Sequence, residues 1–537
     1  MNRGRSITPR KLKDMLRDGE ELALVDVREQ GVYYRDHLLF ASCIPLSRLE
    51  MMLADLIPRR SARIVLCDDG GGISADRAAA QLGRFGYTDV SVLAGGVRSW
   101  RDAGYEVFSG VNVPSKAFGE LVEHHFDTPR ISAGELAAKS AGGERLVILD
   151  SRPMEEFRNM SIPGGIDCPG AELVYRIFDV APDPQTLVVV NCAGRTRSII
   201  GAQSLINAGI PNRVVALKDG TMGWQLAGLE VSSGRTEHAA APSPAGLASA
   251  KAAAAKVAER HGVRVIDNGR LSQWRAEAQH RTLYVFDVRT SEEYVAGHLP
   301  DSRHAPGGQL VQATDEFAAV RHARVVLVDD KEVRANMTAS WLRQLGWDEV
   351  YVLSGDLQME EQGAFKPSLL DFVAMPTISS AELHEKYSRE TKLSVLDFAS
   401  SLQYRKRHIP GAYWCMRGRI ERAIAEVPGG EWVVTSPDGV FAHYCARDIS
   451  YVRPDLSVRV LDGGSDAWFA QARPIETGTQ RPTCEPDDVW LKPYEQREVS
   501  QAMQDYLTWE VNLVEQIQRD GDARFRFSAG QYHILTA

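Results

Sequence analysis

Leu187-Val-Val-Val-Asn-Cys-Ala-Gly-Arg-Thr-Arg-Ser-Ile-Ile-Gly201 is a short apolar run followed by a compact loop that begins with a cysteine. Leu187 to Val190 are predicted to form a buried strand, and Ser198 to Ala208 the helix that follows it. Cys192 therefore opens a strand-to-helix turn, in which unpaired backbone N–H groups point toward the centre of the loop. Strand, turn and helix in this order form a βα unit, which is typical of a parallel sheet covered by helices.

The side chains of this loop are those expected around a reactive thiol. Arg195, Arg197 and the positive end of the helix are predicted to favour the thiolate of Cys192 and to hold an anionic substrate against it. Gly194 permits the positive φ that a loop wrapped around one sulfur atom needs. The alternative for Cys192 is a buried core thiol, but two arginines within five residues of it conflict with an apolar pocket.

The composition is that of a globular protein of several domains. The chain has 537 residues, of which 44% are hydrophobic and 25% charged, enough for roughly three to five domains. The net charge of −9 suggests neither nucleic acid nor an anionic membrane as a partner. No apolar signal segment follows the N-terminus and no stretch reaches the ~18 apolar residues of a membrane span, so a cytoplasmic protein is predicted. The seven cysteines include no Cys-x-x-Cys pair, which argues against a disulfide framework and a zinc site, and no cofactor or metal is expected.

One pattern occurs four times along the chain. An apolar strand ends in an aspartate in each copy, at Asp26, Asp150, Asp287 and Asp397. Each copy later closes with a strand and a Gly-containing turn. These turns are Val92-Leu-Ala-Gly-Gly-Val-Arg-Ser-Trp100, Ala216-Leu-Lys-Asp-Gly-Thr-Met-Gly-Trp224, Val352-Leu-Ser-Gly-Asp356 and Val460-Leu-Asp-Gly-Gly-Ser-Asp-Ala-Trp468. The chain is therefore predicted to be a tandem array of one structural unit.

These motifs resemble the rhodanese family of sulfurtransferases. Asp-Val-Arg, His408-Ile-Pro-Gly-Ala412 and Gly-Gly-x-x-x-Trp are signatures of that family, and its six-residue active loop begins with the cysteine that forms a persulfide. The resemblance implies an α/β fold of four tandem rhodanese-like domains, each a mainly parallel sheet flanked by helices on both faces. The predicted units are repeat one at 1–110, repeat two at 130–236, repeat three at 263–375, repeat four at 376–480 and a helical tail at 481–537.

Two connecting segments and the tail fall outside the repeats. Residues 111–129 join repeats one and two, and the Pro-Ser-Pro and Ala-rich segment 237–258 is the clearest linker, so the chain is interpreted as two tandem pairs. In the tail, apolar residues recur at spacings of three and four, which predicts an amphipathic helix that packs on the domains or on another subunit. These residues are Val499, Met503, Tyr506, Leu507, Trp509, Val511, Val514 and Ile517.

Only repeat two carries a cysteine at the loop position. Repeat one has Asp68 there, and its Cys67 lies one residue earlier, on the opposite face of the strand. The corresponding residues are Asp329 or Asp330 in repeat three and Ser436 or Pro437 in repeat four. Repeats one, three and four are therefore predicted to be inactive.

The remaining site residues come from repeat two. The predicted catalytic residue is Cys192, and the predicted substrate-binding residues are Arg152, Ala193, Gly194, Arg195, Thr196 and Arg197. The resemblance assigns Arg152 to the anionic group of the sulfur donor, whereas a salt bridge to Glu155 or Glu156 is its structural alternative. Ser161 stands where the family has histidine, so no general base is expected there. Cys168 is either a packed core thiol or a resolving thiol for Cys192.

The predicted function is transfer of sulfane sulfur through a Cys192 persulfide. The implied small-molecule partners are an anionic donor such as thiosulfate and an acceptor such as cyanide or a thiol. The competing hypothesis is a non-enzymatic persulfide carrier or protein-binding scaffold, with a homo-oligomer or a protein acceptor left open. A phosphatase or arsenate reductase is disfavoured because four residues separate Cys192 from Arg197, one fewer than in the Cys-x5-Arg loop of those enzymes.

Overall fold

The computed structural model describes residues 5–389 and 392–527 and contains four sheets, each built on the core strands of one sequence repeat, with one strand of repeat three added to the sheet of repeat one. The first four residues of predicted repeat one and the last ten of the predicted tail lie outside the described residues. Within every repeat the strands pair in parallel, and the spatial order is first, fifth, fourth, second and third strand of the core pattern. Helices connect successive strands, which confirms the predicted α/β class and the four tandem units.

The strands are short and mostly buried. Those of repeat one are β1 Arg5–Ile7, β2 Leu22–Asp26, β3 Ser42–Cys43, β4 Arg63–Cys67 and β5 Asp89–Leu93. Repeat two has β6 Arg130–Ile131, β7 Leu146–Asp150, β8 Ile166–Asp167, β9 Leu187–Asn191 and β10 Val214–Leu217. Repeat three has β11 Arg264–Ile266, β12 Leu283–Asp287, β13 Arg303–His304, β14 Val320–Arg321, β15 Arg324–Val328 and β16 Val350–Leu353. Repeat four has β17 Thr377–Ile378, β18 Leu393–Asp397, β19 Tyr413–Trp414, β20 Glu431–Thr435 and β21 Ser457–Leu461.

The helices cover both faces of these sheets. The first six are α1 Pro9–Arg17, α2 Gln30–Tyr33, α3 Leu49–Leu56, α4 Ile73–Arg84, α5 Gly96–Asp102 and α6 Val113–Phe126. The next six are α7 Ala133–Ala141, α8 Met154–Asn159, α9 Glu172–Val180, α10 Thr196–Ala208, α11 Gly220–Leu226 and α12 Pro244–Arg260. Repeat three contributes α13 Asn268–Ala276, α14 Ser291–Ala296, α15 Gly307–Gln312, α16 Thr314–Phe317 and α17 Val333–Gln344. Repeat four and the tail contribute α18 Ser380–Ser388, α19 Ser401–Lys406, α20 Ile420–Glu426, α21 Val440–Val452, α22 Gly464–Ala470 and α23 Val499–Asp520.

Repeats one and three share a sheet and a core. Strand β14 pairs antiparallel with β2, with Val320 opposite Ala23 and Arg321 opposite Leu22. One apolar cluster runs from Val25 and Leu66 in repeat one to Phe286 and Val325 in repeat three. The interpretation of the chain as two tandem pairs is therefore wrong, because repeat one shares strand pairing and an apolar core with repeat three.

Both connecting segments form helices that pack against neighbouring repeats. Helix α6 lies within 111–129 and packs on α10 and α23, whereas α12 begins within the Ala-rich linker and packs on α9 and α17. Pro114 and Pro244 fit because proline is tolerated in the first turn of a helix. The tail helix α23 buries Met503 and Ile517, as the spacing predicted, together with Leu513, whereas Val511 of the predicted set is 44% exposed. No helix within the described residues has the length and apolar character needed to cross a bilayer.

Candidate active site

The Cys192 loop lies at the carboxyl end of a central strand of the second sheet. Strand β9 runs between β10 and β7 and ends at Asn191, and helix α10 begins at Thr196, two residues earlier than the sequence predicted. Cys192 is 2% exposed. The carboxyl ends of strands are where open α/β sheets bind their ligands, so the position itself favours a functional role.

The start of helix α11 holds the outer side of the loop. The backbone N–H of Thr221 donates to the carbonyl of Cys192 at 2.8 Å, and that of Met222 donates to the carbonyl of Ala193 at 2.9 Å. Gly220 has a φ of 57°, and a Cβ there would lie 2.5 Å from the carbonyl oxygens of Cys192 and Gly194. Because these loop carbonyls are engaged by α11, the Gly-containing turn that ends repeat two fixes the shape of the loop.

We expect Gly220→Ala to damage activity far more than Gly228→Ala. Both glycines have left-handed φ values, but Gly228 has open space where a Cβ would lie. The left-handed strain of about 1–2 kcal/mol is therefore common to both variants, and only Gly220→Ala also pushes on the loop. A displacement of about 1 Å at a reactive group costs roughly 100-fold in turnover. Equal turnover of the two variants in a sulfur-transfer assay would contradict this role of Gly220.

Arg195 is occupied by three carboxylates. Its Nε and Nη2 donate to Glu120 at 2.7 Å each, Nη2 also donates to Glu123 at 2.6 Å, and Nη1 donates to Asp219 at 2.9 Å. Asp219 belongs to the Gly-containing turn, whereas Glu120 and Glu123 come from helix α6. All three guanidinium nitrogens are thus used in fastening the loop to its surroundings, rather than held open for the anionic substrate that the sequence predicted.

Arg197 is also paired, but its charge acts on the cysteine. Its Nη1 and Nη2 donate to the two carboxylate oxygens of Glu156 at 3.0 and 2.8 Å, and Nη1 donates to Gln309 of repeat three at 3.2 Å. The positive charge of Arg197 lowers the pKa of Cys192. Of the two loop arginines, Arg197 is therefore the one that favours the thiolate.

Arg152 does not pair with Glu155 or Glu156, the salt bridge that was weighed as its structural alternative. Its Nε and Nη2 donate to the two oxygens of Asp150 at 2.8 and 2.7 Å, and Nη2 also donates to the carbonyl of Met160 at 2.6 Å. The side chain is 1% exposed. Arg28 and Arg289 make the same pair with the preceding Asp26 and Asp287, so this ion pair recurs in repeats that lack the cysteine. Recurrence there indicates a structural role at the end of the strand.

Burial outweighs the groups that favour the Cys192 thiolate. Loss of hydration raises the pKa of Cys192 above its ordinary value, although Arg197 and hydrogen bonds from Ser198 lower it. The negative charge of Glu510 raises it further. The sequence predicted a thiolate at rest, whereas the covered loop in the structure favours the protonated thiol.

The group that covers the loop comes from the tail. A Cβ on Gly194 would lie 3.1 Å from Oε2 of Glu510 and 3.3 Å from Cε1 of Tyr506, both on α23. The hydroxyl of Thr196 donates to Glu510 at 3.3 Å, and the hydroxyl of Tyr506 donates to the same oxygen at 3.1 Å. The sequence places α23 as an amphipathic helix but gives no signal that it reaches a loop more than 300 residues earlier.

Repeats one, three and four have other side chains at the loop position that Cys192 occupies in repeat two, and these side chains are hydrogen-bonded within their own loops. The carboxylate of Asp68 accepts hydrogen bonds from the N–H groups of Gly70, Gly72 and Ala75, at 2.9 to 3.3 Å. Asp329 accepts from the N–H of Arg334 at 2.7 Å and from its guanidinium at 2.8 Å.

In repeat four the hydroxyl of Ser436 accepts from the N–H of Ala442 at 3.1 Å. A Cβ on Gly96 or Gly464 would clash with the carbonyl oxygen of Asp68 or Ser436, as a Cβ on Gly220 would clash with that of Cys192. This match supports the register assigned from the sequence for repeats one and four.

The remaining cysteines discussed above lie in apolar cores. Cys168 is 1% exposed and packs with Leu173 and Val190, and burial raises its pKa well above the ordinary value. Cys67 is the last residue of β4 and is fully buried. Neither has the loop setting of Cys192, and all seven cysteines are free.

A solved structure of a known protein matches nearly the whole chain. The crystal structure of a thiosulfate sulfurtransferase from Pseudomonas aeruginosa superposes with a TM-score of 0.92 at 46% identity, covering 98% of this chain and all of that one.

Curated relatives align with shorter segments. The thiosulfate sulfurtransferase of Gallus gallus is 29% identical over 107 residues, which is 19% of this chain and 36% of that protein. The probable adenylyltransferase/sulfurtransferase MoeZ of Mycobacterium tuberculosis is 35% identical over 100 residues, which is 18% of this chain and 25% of that protein. This chain thus spans well under half the length of these two relatives.

The family model of the rhodanese-like domain matches residues 8–103, 132–227 and 267–359, which together make up a little over half of the chain. These segments coincide with the first three sheets, and the fourth sheet repeats their strand order. The chain therefore belongs to the rhodanese-like domain family.

Proposed function

We propose that this protein is a sulfurtransferase that moves sulfane sulfur from thiosulfate to a thiophilic acceptor through a persulfide on Cys192. The observation that carries the proposal is the position of Cys192: a cysteine at the carboxyl end of a central strand, at the start of a six-residue loop wrapped toward a helix N-terminus. The whole-chain similarity to a protein described as a thiosulfate sulfurtransferase supports the same reaction.

The reaction consists of two displacements at sulfur. The Cys192 thiolate attacks the outer sulfur of thiosulfate, the S–S bond of the donor breaks, and sulfite leaves with the bonding electron pair. The product is the Cys192 persulfide anion. An acceptor then attacks the outer persulfide sulfur, so that cyanide leaves as thiocyanate and a thiolate leaves as a persulfide, and the Cys192 thiolate is restored. No external oxidant or reductant enters either step.

The loop supplies the stabilisation that these steps need. The backbone N–H groups from Ala193 to Arg197 and the N-terminus of α10 are proposed to hold the negative charge of the thiolate and of the persulfide. The charge of Arg197 adds to this field. Gly194 and Thr196 lie in the loop against the α23 residues that cover it, and they are proposed to contact the bound donor.

The acceptor in the cell is proposed to be a small thiol, with cyanide as its assay substitute. A reaction that cycles through a free thiol needs a reducing compartment, and we propose the cytoplasm. Persulfide on Cys192 without transfer to either acceptor would instead support a persulfide carrier.

Intact-protein mass spectrometry tests the first half of the reaction. Treatment with thiosulfate should add one sulfur, about 32 mass units, to Cys192, and cyanide should remove it with release of one thiocyanate. Peptide mapping must place the added sulfur on Cys192 rather than on Cys43, which is the least buried of the seven cysteines. Absence of the added mass, or hydrolysis of an aryl phosphate in its place, would contradict the proposal.

A further inference from the structure

Lys116 is a buried ammonium group on helix α6 that forms no ion pair within the described residues. The residue is 3% exposed. Across residues 5–389 and 392–527 its Nζ has no carboxylate within 4.0 Å and donates no hydrogen bond, and the strongest opposite charge that acts on it is that of Glu510. A lysine ammonium has three N–H donors, and burying a charge without partners is costly. Such a group is expected where a ligand supplies the missing acceptors.

Three aromatic rings hold this ammonium in place. The Nζ atom lies 5.3 Å from the ring centre of Trp490, 4.7 Å from that of Tyr506 and 4.8 Å from that of Trp509. Cation–π attraction stabilises the charge but leaves the N–H groups available to a stronger acceptor. The tail thus fixes the position of the cation and leaves its hydrogen bonds unused.

The caged ammonium lies beside the Cys192 loop. Tyr506 has its ring near Lys116 and its Cε1 only 3.3 Å from the place where a Cβ of Gly194 would be. Gly119, one turn after Lys116 on α6, packs on Thr196, with 2.9 Å between its Cβ position and Cγ2 of that threonine. An anion held by Lys116 would therefore lie next to the loop.

Both arginines of the loop already donate to carboxylates, so direct binding of the donor anion is left to another cation. Arg195 pairs with Glu120, Glu123 and Asp219, and Arg197 pairs with Glu156. We infer that Lys116, within the cage of Trp490, Tyr506 and Trp509, binds the anionic sulfonate group of the sulfur donor and directs its outer sulfur toward Cys192. The inference rests on the proposed function and names the residue that recognises its donor.

A cleft leads from solvent to the outer side of the cage. It has a volume of 360 Å³, and its walls include Trp490, Tyr506 and Trp509. Tyr506 forms part of the cleft wall and also contacts the loop. Lys116 does not line the cleft itself but lies against the three rings that form part of its wall.

Several charged groups face Lys116 and set its titration. Glu510 on α23 and Asp315 and Glu316 on α16 raise its pKa, whereas Arg197 on α10 lowers it. Burial has the largest influence and lowers the pKa of Lys116 to about 8. The ammonium is therefore present below about pH 8 and is lost above it, so donor binding should weaken as the pH rises through that value.

Steady-state kinetics with thiosulfate and cyanide test the inference. In Lys116→Met, whose side chain keeps the contact with the rings, the KM for thiosulfate should rise about 10- to 100-fold while kcat changes little. Lys116→Arg should restore most of the affinity. In the wild type the KM should climb above about pH 8, and in Lys116→Arg this rise should disappear because arginine stays charged.

Glu510→Gln is the matched control because the negative charge of Glu510 raises the pKa of Lys116. Without that carboxylate the pKa of Lys116 should fall, so the KM for thiosulfate should begin to rise at a lower pH than in the wild type. An unchanged KM in Lys116→Met, or a rise of the KM above about pH 8 that persists in Lys116→Arg, would overturn the inference. Failure of the proposed function is distinguished from this result because the wild-type protein would then form no persulfide at Cys192.

Discussion

Cys192→Ser should reduce thiosulfate:cyanide transfer by at least about 1,000-fold, since a serine hydroxyl cannot accept and release a sulfur atom under these conditions. Serine is close to cysteine in size and Cys192 is 2% exposed, so the fold should be preserved. Turnover is followed as thiocyanate release, and thermal unfolding of the variant confirms that the protein remains intact.

Cys43→Ser is the control for Cys192→Ser. Cys43 is the least buried of the seven cysteines and lies in repeat one, outside any active loop. Its replacement should leave turnover within about twofold of the wild type. Similar turnover of Cys192→Ser and the wild type would rule out the persulfide mechanism, because the other cysteines lie away from the loop.

Arg195→Met should lower the free energy of unfolding by about 3–5 kcal/mol, the usual cost of removing one partner from a buried ion pair. Glu120, which accepts two hydrogen bonds from Arg195, is fully buried and would keep an unpaired charge. Glu123 and Asp219 would lose a partner as well. Chemical denaturation monitored by circular dichroism measures the loss directly.

Arg130→Met separates this effect from the general loss of a surface charge. Arg130 pairs with the same Glu123 at 3.1 Å, but half of its side chain is exposed, so its removal should cost at most about 1 kcal/mol. If Arg195 instead bound substrate, as predicted from the sequence, Arg195→Met would raise the KM for thiosulfate and leave stability close to that of the wild type.

Local sequence patterns were sufficient to predict the repeating architecture. The apolar runs before Asp26, Asp150, Asp287 and Asp397 all became buried strands, because a parallel strand covered on both faces needs continuous apolar residues. The position of the Cys192 loop followed from the same logic, since the loop lies between one such strand and the next helix.

The partners of charged side chains were beyond prediction from local patterns. Arg195 pairs with Glu120, 75 residues away along the chain, and Arg197 reaches Gln309 in another repeat. Each of these contacts depends on how repeats and connecting helices pack. A sequence motif shows that a loop contains arginines but not which carboxylates neutralise them.

The tail illustrates the same limit for the active site as a whole. Its apolar spacing predicted a helix, but the polar residue that matters, Glu510, interrupts no pattern and is 1% exposed only because α23 lies against the loop. Lys116 was also not predicted as a functional residue, because segment 111–129 was interpreted only as a connection between repeats one and two. Lys116 becomes visible as a functional candidate once its burial without an ion pair or hydrogen bond is known, and Glu510 once its contacts with the loop are known.

The contact between Thr196 and Glu510 also imposes an order of events during synthesis. These residues are separated by 314 positions, and a ribosome adds roughly 5–20 residues each second, so the second repeat emerges about 15–60 s before the helix that covers it. Throughout that interval the Cys192 loop of the nascent chain lacks the α23 residues that cover it. Without the negative charge of Glu510, which raises the pKa of Cys192, the thiol should react with oxidants and electrophiles more readily than in the finished protein.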